Sequence, residues 1–174
     1  MKSLLNYLLV SLTVFVSCDP SAKESNIPKI YNGPLTTLTK SLILYSDSAI
    51  VRTRLTAPLQ LDFADKNREF PKGIKLEFFN AQGEKTSTLT AAYGSYKGKD
   101  DLYMVRGNVF IIDMENQRFY TEELFWNPTT RKITSDKFIK IETPRDTLMG
   151  LGFESDESLS RYKILKPSGK FISD

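Results

Sequence analysis

From Leu102 to Phe153 the chain is a run of short blocks in which apolar residues recur every second position. The blocks are Leu102 to Asp113, Arg118 to Asn127, Lys132 to Ile141 and Leu148 to Phe153. A period of two is the period of a β-strand, whose successive side chains point to opposite faces of a sheet. Each block ends at a polar break: Met114 to Gln117, Asn127 to Thr130 and Thr143 to Asp146. A chain patterned this way builds a long sheet with one apolar face. Its function turns on what that face touches.

The same pattern extends upstream. Leu35 to Tyr45 reads as a strand that Asp47 and Ser48 break. Ala49, Val51, Thr53, Leu55 and Ala57 alternate with Ile50, Arg52, Arg54 and Thr56. Pro58 interrupts, and Leu59, Leu61 and Phe63 resume the alternation. Pro71 to Gly73 is a turn before Ile74 to Phe79, and Asn80 to Gly83 is a hairpin loop before a return strand over Thr86 to Tyr96. Lys97 to Asp101 is the next turn. Turns recurring at roughly 8–12 residues indicate an all-β sandwich or barrel-like fold. Crossover helices are wanting, which argues against a doubly wound fold. The segment Asp156 to Lys163 is the best candidate for a helical turn, although Ile164 and Leu165 suit a strand equally.

Composition narrows the chemistry. There is no histidine and one cysteine among 174 residues. That removes most zinc sites, Ser-His and Cys-His nucleophilic pairs, and internal disulfides. The pairs Asp100-Asp101 and Glu122-Glu123 read as solvated turns or strand ends rather than catalytic carboxylates. No reaction and no cofactor is expected. A net charge of +3, with cations interleaved among acids, does not call for nucleic acid.

The N-terminus reads as an address. After Met1-Lys2-Ser3, the run Leu4 to Val16 is apolar but shorter than the roughly 20 residues a spanning helix needs. It fits a secretory signal peptide. It ends at Phe15-Val16-Ser17-Cys18, which resembles a bacterial lipobox, with Phe15 where leucine is most common. The resemblance implies cleavage before Cys18 and its lipidation, leaving 174 − 17 = 157 residues. A plain signal peptide or signal anchor is the alternative. Asp19 resembles an inner-membrane retention signal; sorting to the outer membrane stays open. The expected organisation is a signal peptide over 1–17, the lipidated cysteine and a flexible tether over 18–33, and a β domain over 34–174.

The β blocks, in order and spacing, resemble the OstA-like lipopolysaccharide-transport family that includes LptA and LptC. The matching features are Leu102 with Gly107-Asn108-Val109, Phe119 with Thr121, Leu124 with Trp126, Ile133 with Ser135, Ile139 with Ile141, and Gly150 with Gly152. Upstream, Phe70 to Ile74, Phe78-Phe79 and Leu89 to Ala91 resemble the LptC proteins of Bacteroidetes. The likeness covers roughly Pro34 to Phe171. Enterobacterial LptC carries an N-terminal transmembrane helix, where this chain shows the lipobox-like run.

The resemblance implies a single antiparallel β-jelly-roll whose sheets form a V-shaped groove. It implies partners too: lipopolysaccharide, an inner-membrane ABC transporter of the LptB/LptF/LptG kind, and a periplasmic LptA-like jelly-roll that receives the lipid. The periplasmic side of the inner membrane is the implied location. The two-residue period lets Val109, Ile111, Phe119, Thr121, Leu124, Trp126, Ile133, Ile139 and Ile141 share one inward face. If the sheets splay, these residues line a groove for acyl chains. If the sheets meet tightly, they form a dry core, as in a structural or protein-binding β-sandwich lipoprotein. Asp47-Ser48-Ala49 and Asp146-Thr147-Leu148 resemble the O-glycosylation motif of Bacteroidetes periplasmic proteins.

Overall fold

A computed structural model describes residues 31–169. Within them the elements are β1 (Thr36–Asp47), β2 (Ile50–Asp62), β3 (Arg68–Phe70), β4 (Ile74–Phe79), β5 (Lys85–Ala91), β6 (Tyr93–Lys97), β7 (Leu102–Asp113), β8 (Arg118–Asn127), β9 (Lys132–Glu142), β10 (Thr147–Asp156) and β11 (Tyr162–Ser168). Among the described residues there is no helix. All pairings are antiparallel, and one sheet contains every strand. The fold is therefore all-β, with the one-sheet antiparallel architecture of a jelly-roll of the OstA-like kind.

The topology is simpler than eleven strands suggest. β3 continues into β4, and both pair with β2; β5 continues into β6, and both pair with β7. The eleven strands thus trace 11 − 2 = 9 paths, each hydrogen-bonded to the next along the chain. Turn chemistry closes the hairpins locally. The Asn80 side chain accepts from the N–H groups of Gln82 and Glu84, and Asp113 does the same for Glu115 and Gln117.

Every path breaks its ladder at the same level. Between the pairs Thr39–Leu59 and Ser41–Ala57, Lys40 and Pro58 are skipped. Proline has no N–H to give, and Lys40 takes a left-handed φ of 54°. The β3–β6 ladder ends at Phe70 and Gly94, and the β4–β5 ladder resumes at Ile74 and Ala91. In β7, Gly107 and Asn108 both have positive φ, 78° and 50°, and together they oppose Glu122. Asp136 and Lys137 oppose Gly152, again at a positive φ of 78°. Bulges bend a strand and raise its twist. A row of them across the sheet is a crease.

Folding at the crease brings distant strands together. Phe78 of β4 and Trp126 of β8 are separated by β5 and β7 in the sheet, a span of about 14 Å at ordinary strand spacing. Their rings nevertheless lie 5.3 Å apart, edge to face. Tyr45 of β1 meets Trp126 at 5.7 Å. The sheet is thus one ribbon folded into two facing layers. The core fills the space between, with Leu55, Leu76, Leu89, Ile111 and Phe119 on one side of the crease and Phe70, Val105, Leu124, Ile133 and Phe153 on the other.

Three local expectations change. Pro58 interrupts the ladder but not the strand, because β2 runs on to Asp62 as it turns the crease. The return strand over Thr86 to Tyr96 divides at Ala92, whose N–H donates to the Gly107 carbonyl at 2.9 Å. In place of a helical turn, residues 157–161 link β10 to β11 by a turn closed by Leu159 N–H to the Asp156 carbonyl at 3.2 Å, while Ile164 and Leu165 lie in a strand, as the alternative reading had it.

The last pairing leaves no space at Gly150. A Cβ there would strike Ile164 Cγ2 and the Lys166 carbonyl, and would lie 2.8 Å from Pro167 Cα. Gly150→Ala should destabilise the fold by about 1–3 kcal/mol through overpacking. The check is a lower urea midpoint at unchanged slope; an unchanged midpoint would show that β11 does not seat on β10 this closely.

Candidate functional site: the interior between the layers and its seam

The row of inward residues farthest from the crease forms a seam where the layers meet. On one layer it runs Asp62, Arg68, Tyr96, Tyr103, Trp126, each paired with the next across the strands. Arg68 lies over the Tyr96 ring at 5.2 Å, Tyr96 packs on Tyr103 at 4.6 Å, and Tyr103 stacks on Trp126 at 5.0 Å. On the facing layer the row runs Tyr45, Thr53, Phe78, Ser87. Aromatic residues at one register level of successive strands produce such a ladder without further instruction.

Few hydrogen bonds tie the two rows. The Tyr45 and Tyr103 hydroxyls are 2.6 Å apart. The Ser87 hydroxyl donates to the Glu157 carbonyl at 2.9 Å. Glu157 sits in the turn between β10 and β11, and its carboxylate is almost wholly buried. It accepts from the Trp126 indole N–H at 2.8 Å and from Arg131 Nε at 2.9 Å. A buried carboxylate needs such partners, since an unpaired one is costly. At the outer end of the seam Asp101 receives the Tyr96 hydroxyl at 3.1 Å and the Thr129 hydroxyl at 2.5 Å, joining two hairpins. Gln60, 3% exposed on the inward side of β2, gives its amide N–H to Asp62 at 2.7 Å and leaves Oε1 without a partner among the described residues.

The expected inward residues converge here. Val109, Ile111, Phe119, Leu124, Trp126, Ile133, Ile139 and Ile141 all lie in the core, each 2% exposed or less. Thr121 stands apart. It is half-buried at the crease, and its hydroxyl donates to the Phe138 carbonyl at 2.9 Å. The layers are in contact at the eight core positions, so the space between them is filled by side chains. Glu122 and Asp100 are exposed, away from any acid pair in the interior. Ser48 and Thr147 are exposed as well. Cys18 lies outside the described residues.

The sequence does not single out Tyr45, Tyr103 and Glu157, and it gives Phe78 only within the Phe78-Phe79 feature of the family resemblance. In β7 both Leu102-Met104 and Tyr103-Val105 are apolar sets, and alternation alone does not tell which set faces inward. The spacing Tyr96, Tyr103, Trp126 at successive strand ends was the available signal.

The chain matches a protein family described as "Lipopolysaccharide-assembly, LptC-related" over residues 33–167. The chain belongs to this family. No protein with a curated description matches it. Membership of the LptC-related family gives the broad function, lipopolysaccharide transport and assembly with the other Lpt components. It is a transport family, associated with the inner membrane and periplasm in lipopolysaccharide export.

Two predictions test the seam. Glu157→Ala strands the Trp126 indole N–H in the core and should cost about 1–3 kcal/mol in chemical denaturation, more than Arg131→Ala on the exposed side of the same pair. Burial pushes the Tyr103 hydroxyl far above its ordinary value, and the neighbouring Tyr45 hydroxyl adds to the effect. A raised folded-state value means the fold keeps a proton that the unfolded chain releases. Stability is then whole below about pH 10 and falls as pH rises past it. Thermal midpoints over that range should decline less steeply in Tyr103→Phe than in the parent.

Proposed function

We propose that this protein accepts lipopolysaccharide from an inner-membrane ABC transporter of the LptB/LptF/LptG kind and passes it to a periplasmic LptA-like jelly-roll. It carries out no reaction of its own; the transporter uses the ATP. The chain is held at the periplasmic face of the inner membrane by lipid on Cys18. Acyl chains enter between the layers when the seam parts, and lie along Val109, Ile111, Phe119, Leu124, Trp126, Ile133, Ile139 and Ile141, with Thr121 at the crease.

One observation carries this reading: a continuous apolar interior in an LptC-related chain, shut at its far side by only a few hydrogen bonds. Each methylene moved from water into such an interior gains about 0.8 kcal/mol, so acyl chains are held without polar recognition. The second reading is a closed sandwich that binds protein alone. Full burial of the eight core positions favours it.

In-cell photocrosslinking decides between them. A photoreactive residue at Phe119, Leu124, Trp126 or Ile139 should yield lipopolysaccharide adducts, while the exposed position Lys132 should yield none. Folded, membrane-attached protein with no lipid adduct at any inward position would establish the closed sandwich.

A further inference from the structure

The outer face beside the N-terminal edge carries a second feature, independent of the interior. Among the described residues β1 pairs with β2 alone. Its inward residues Ile43 and Tyr45 pack on the core, which turns Leu42 and Leu44 outward, 59% and 49% exposed. Leu42 is level with Thr56 and Lys75 on the neighbouring strands, and Leu44 with Arg54 and Glu77. Arg54, Lys75 and Lys85 all converge on Glu77, at 3.5, 3.1 and 3.7 Å. Lys40 and Lys72 flank the leucines at the crease, and neither forms an ion pair among the described residues. The face therefore sets five cations against one carboxylate, a local charge of 5 − 1 = +4. A concavity of about 590 Å³ opens among Lys40, Leu42, Pro58, Lys72 and Lys75.

A second exposed apolar patch among the described residues lacks this charge. Around Tyr120, Phe138, Met149 and Leu151, Lys140 is matched by Glu142 at 2.6 Å and Lys137 by Glu123 at 3.7 Å. Excess cations bordering exposed leucines complement an anionic bilayer surface, where each Lys or Arg adds to the attraction and salt screens it. The place in the chain agrees. The lipid proposed on Cys18 lies 35 − 18 = 17 residues before β1.

We propose that the face formed by Leu42, Leu44, Lys40, Lys72 and Lys75 docks on a bilayer surface carrying anionic phospholipid, the leucines entering the headgroup boundary and the lysines matching the phosphates. The inference goes beyond lipopolysaccharide handover and does not require it.

The test uses the full-length chain with nanodiscs of phosphatidylcholine, with or without phosphatidylglycerol. A photoreactive phenylalanine analogue replaces Leu44, or Lys132 as control. Phospholipid adducts should form at position 44 in phosphatidylglycerol discs and fall about tenfold or more when Lys40→Gln and Lys72→Gln are combined. Added salt should lower them similarly. Circular dichroism confirms that the double variant is folded, both lysines being exposed. Equal yields at positions 44 and 132, equal yields in both disc types, or adducts only to a second copy of the chain would overturn the proposal. Lipopolysaccharide adducts at the interior positions are scored separately, so either idea fails without the other.

Discussion

The interruption of hydrogen bonding along one row of the sheet governs the rest of this molecule. An unbroken antiparallel sheet of nine paths would twist but remain open, with an apolar face in water. Here Lys40 and Pro58, Pro71 to Gly73, Ala92, Gly107 and Asn108, Glu122, Asp136 and Lys137, and Gly152 all fall at one level. Each path bends there, and the ribbon closes on its own apolar face. The polar groups released by the break are taken up locally. The Ser135 hydroxyl donates to the Glu123 carbonyl at 2.6 Å and accepts the Lys137 N–H at 3.1 Å. These bonds satisfy two of the backbone groups that the break releases.

The bend also shifts which residues face inward. In β2, Thr53, Leu55 and Ala57 face the core before the crease, and Gln60 does so after it. In β8, Phe119 precedes it and Leu124 follows. A bulge preserves the match between apolar pattern and buried face where a regular strand would turn it outward. Sequence and bend are thus mutually dependent: the alternation slips by one residue where the backbone does.

Much of this was legible in the sequence. The period of two identified the strands, and polar breaks located most hairpins because turn residues act locally. The inward face of β8 and β9 was readable because its opposite face carries Tyr120, Glu122, Thr134 and Lys140. Less legible was whatever depends on two layers meeting. Pro58 and Gly107 announce irregularity, yet nothing local says that they lie in one row. Tyr45 touches Tyr103 and Trp126 only after the ribbon folds, and Glu157 reads as an ordinary turn acid until its carboxylate is placed under the indole.

The seam bears on how a carrier of this shape would work. Parting the layers gives up the Tyr45–Tyr103, Ser87–Glu157 and Tyr162–Gln117 hydrogen bonds and separates Trp126 from Phe78 and Tyr45, and Phe119 from Phe153 and Tyr162. Each hydrogen bond is worth about 1 kcal/mol net and an aromatic pair about as much. Opening also exposes the apolar core on both layers, at about 25 cal/mol per Å², and acyl chains offset that cost by covering the same surface in place of the facing layer. An interior that must open to bind holds its ligand more weakly than a preformed groove, by the fraction of molecules that are open. For a protein that receives a lipid and gives it up, that weakening works in its favour, because a site of full depth would retain the acyl chains. The aromatic–polar composition of the seam suits this balance better than a wholly apolar one would. Its tyrosine hydroxyls find water as soon as the layers part, whereas leucines in their place would be exposed at full hydrophobic cost.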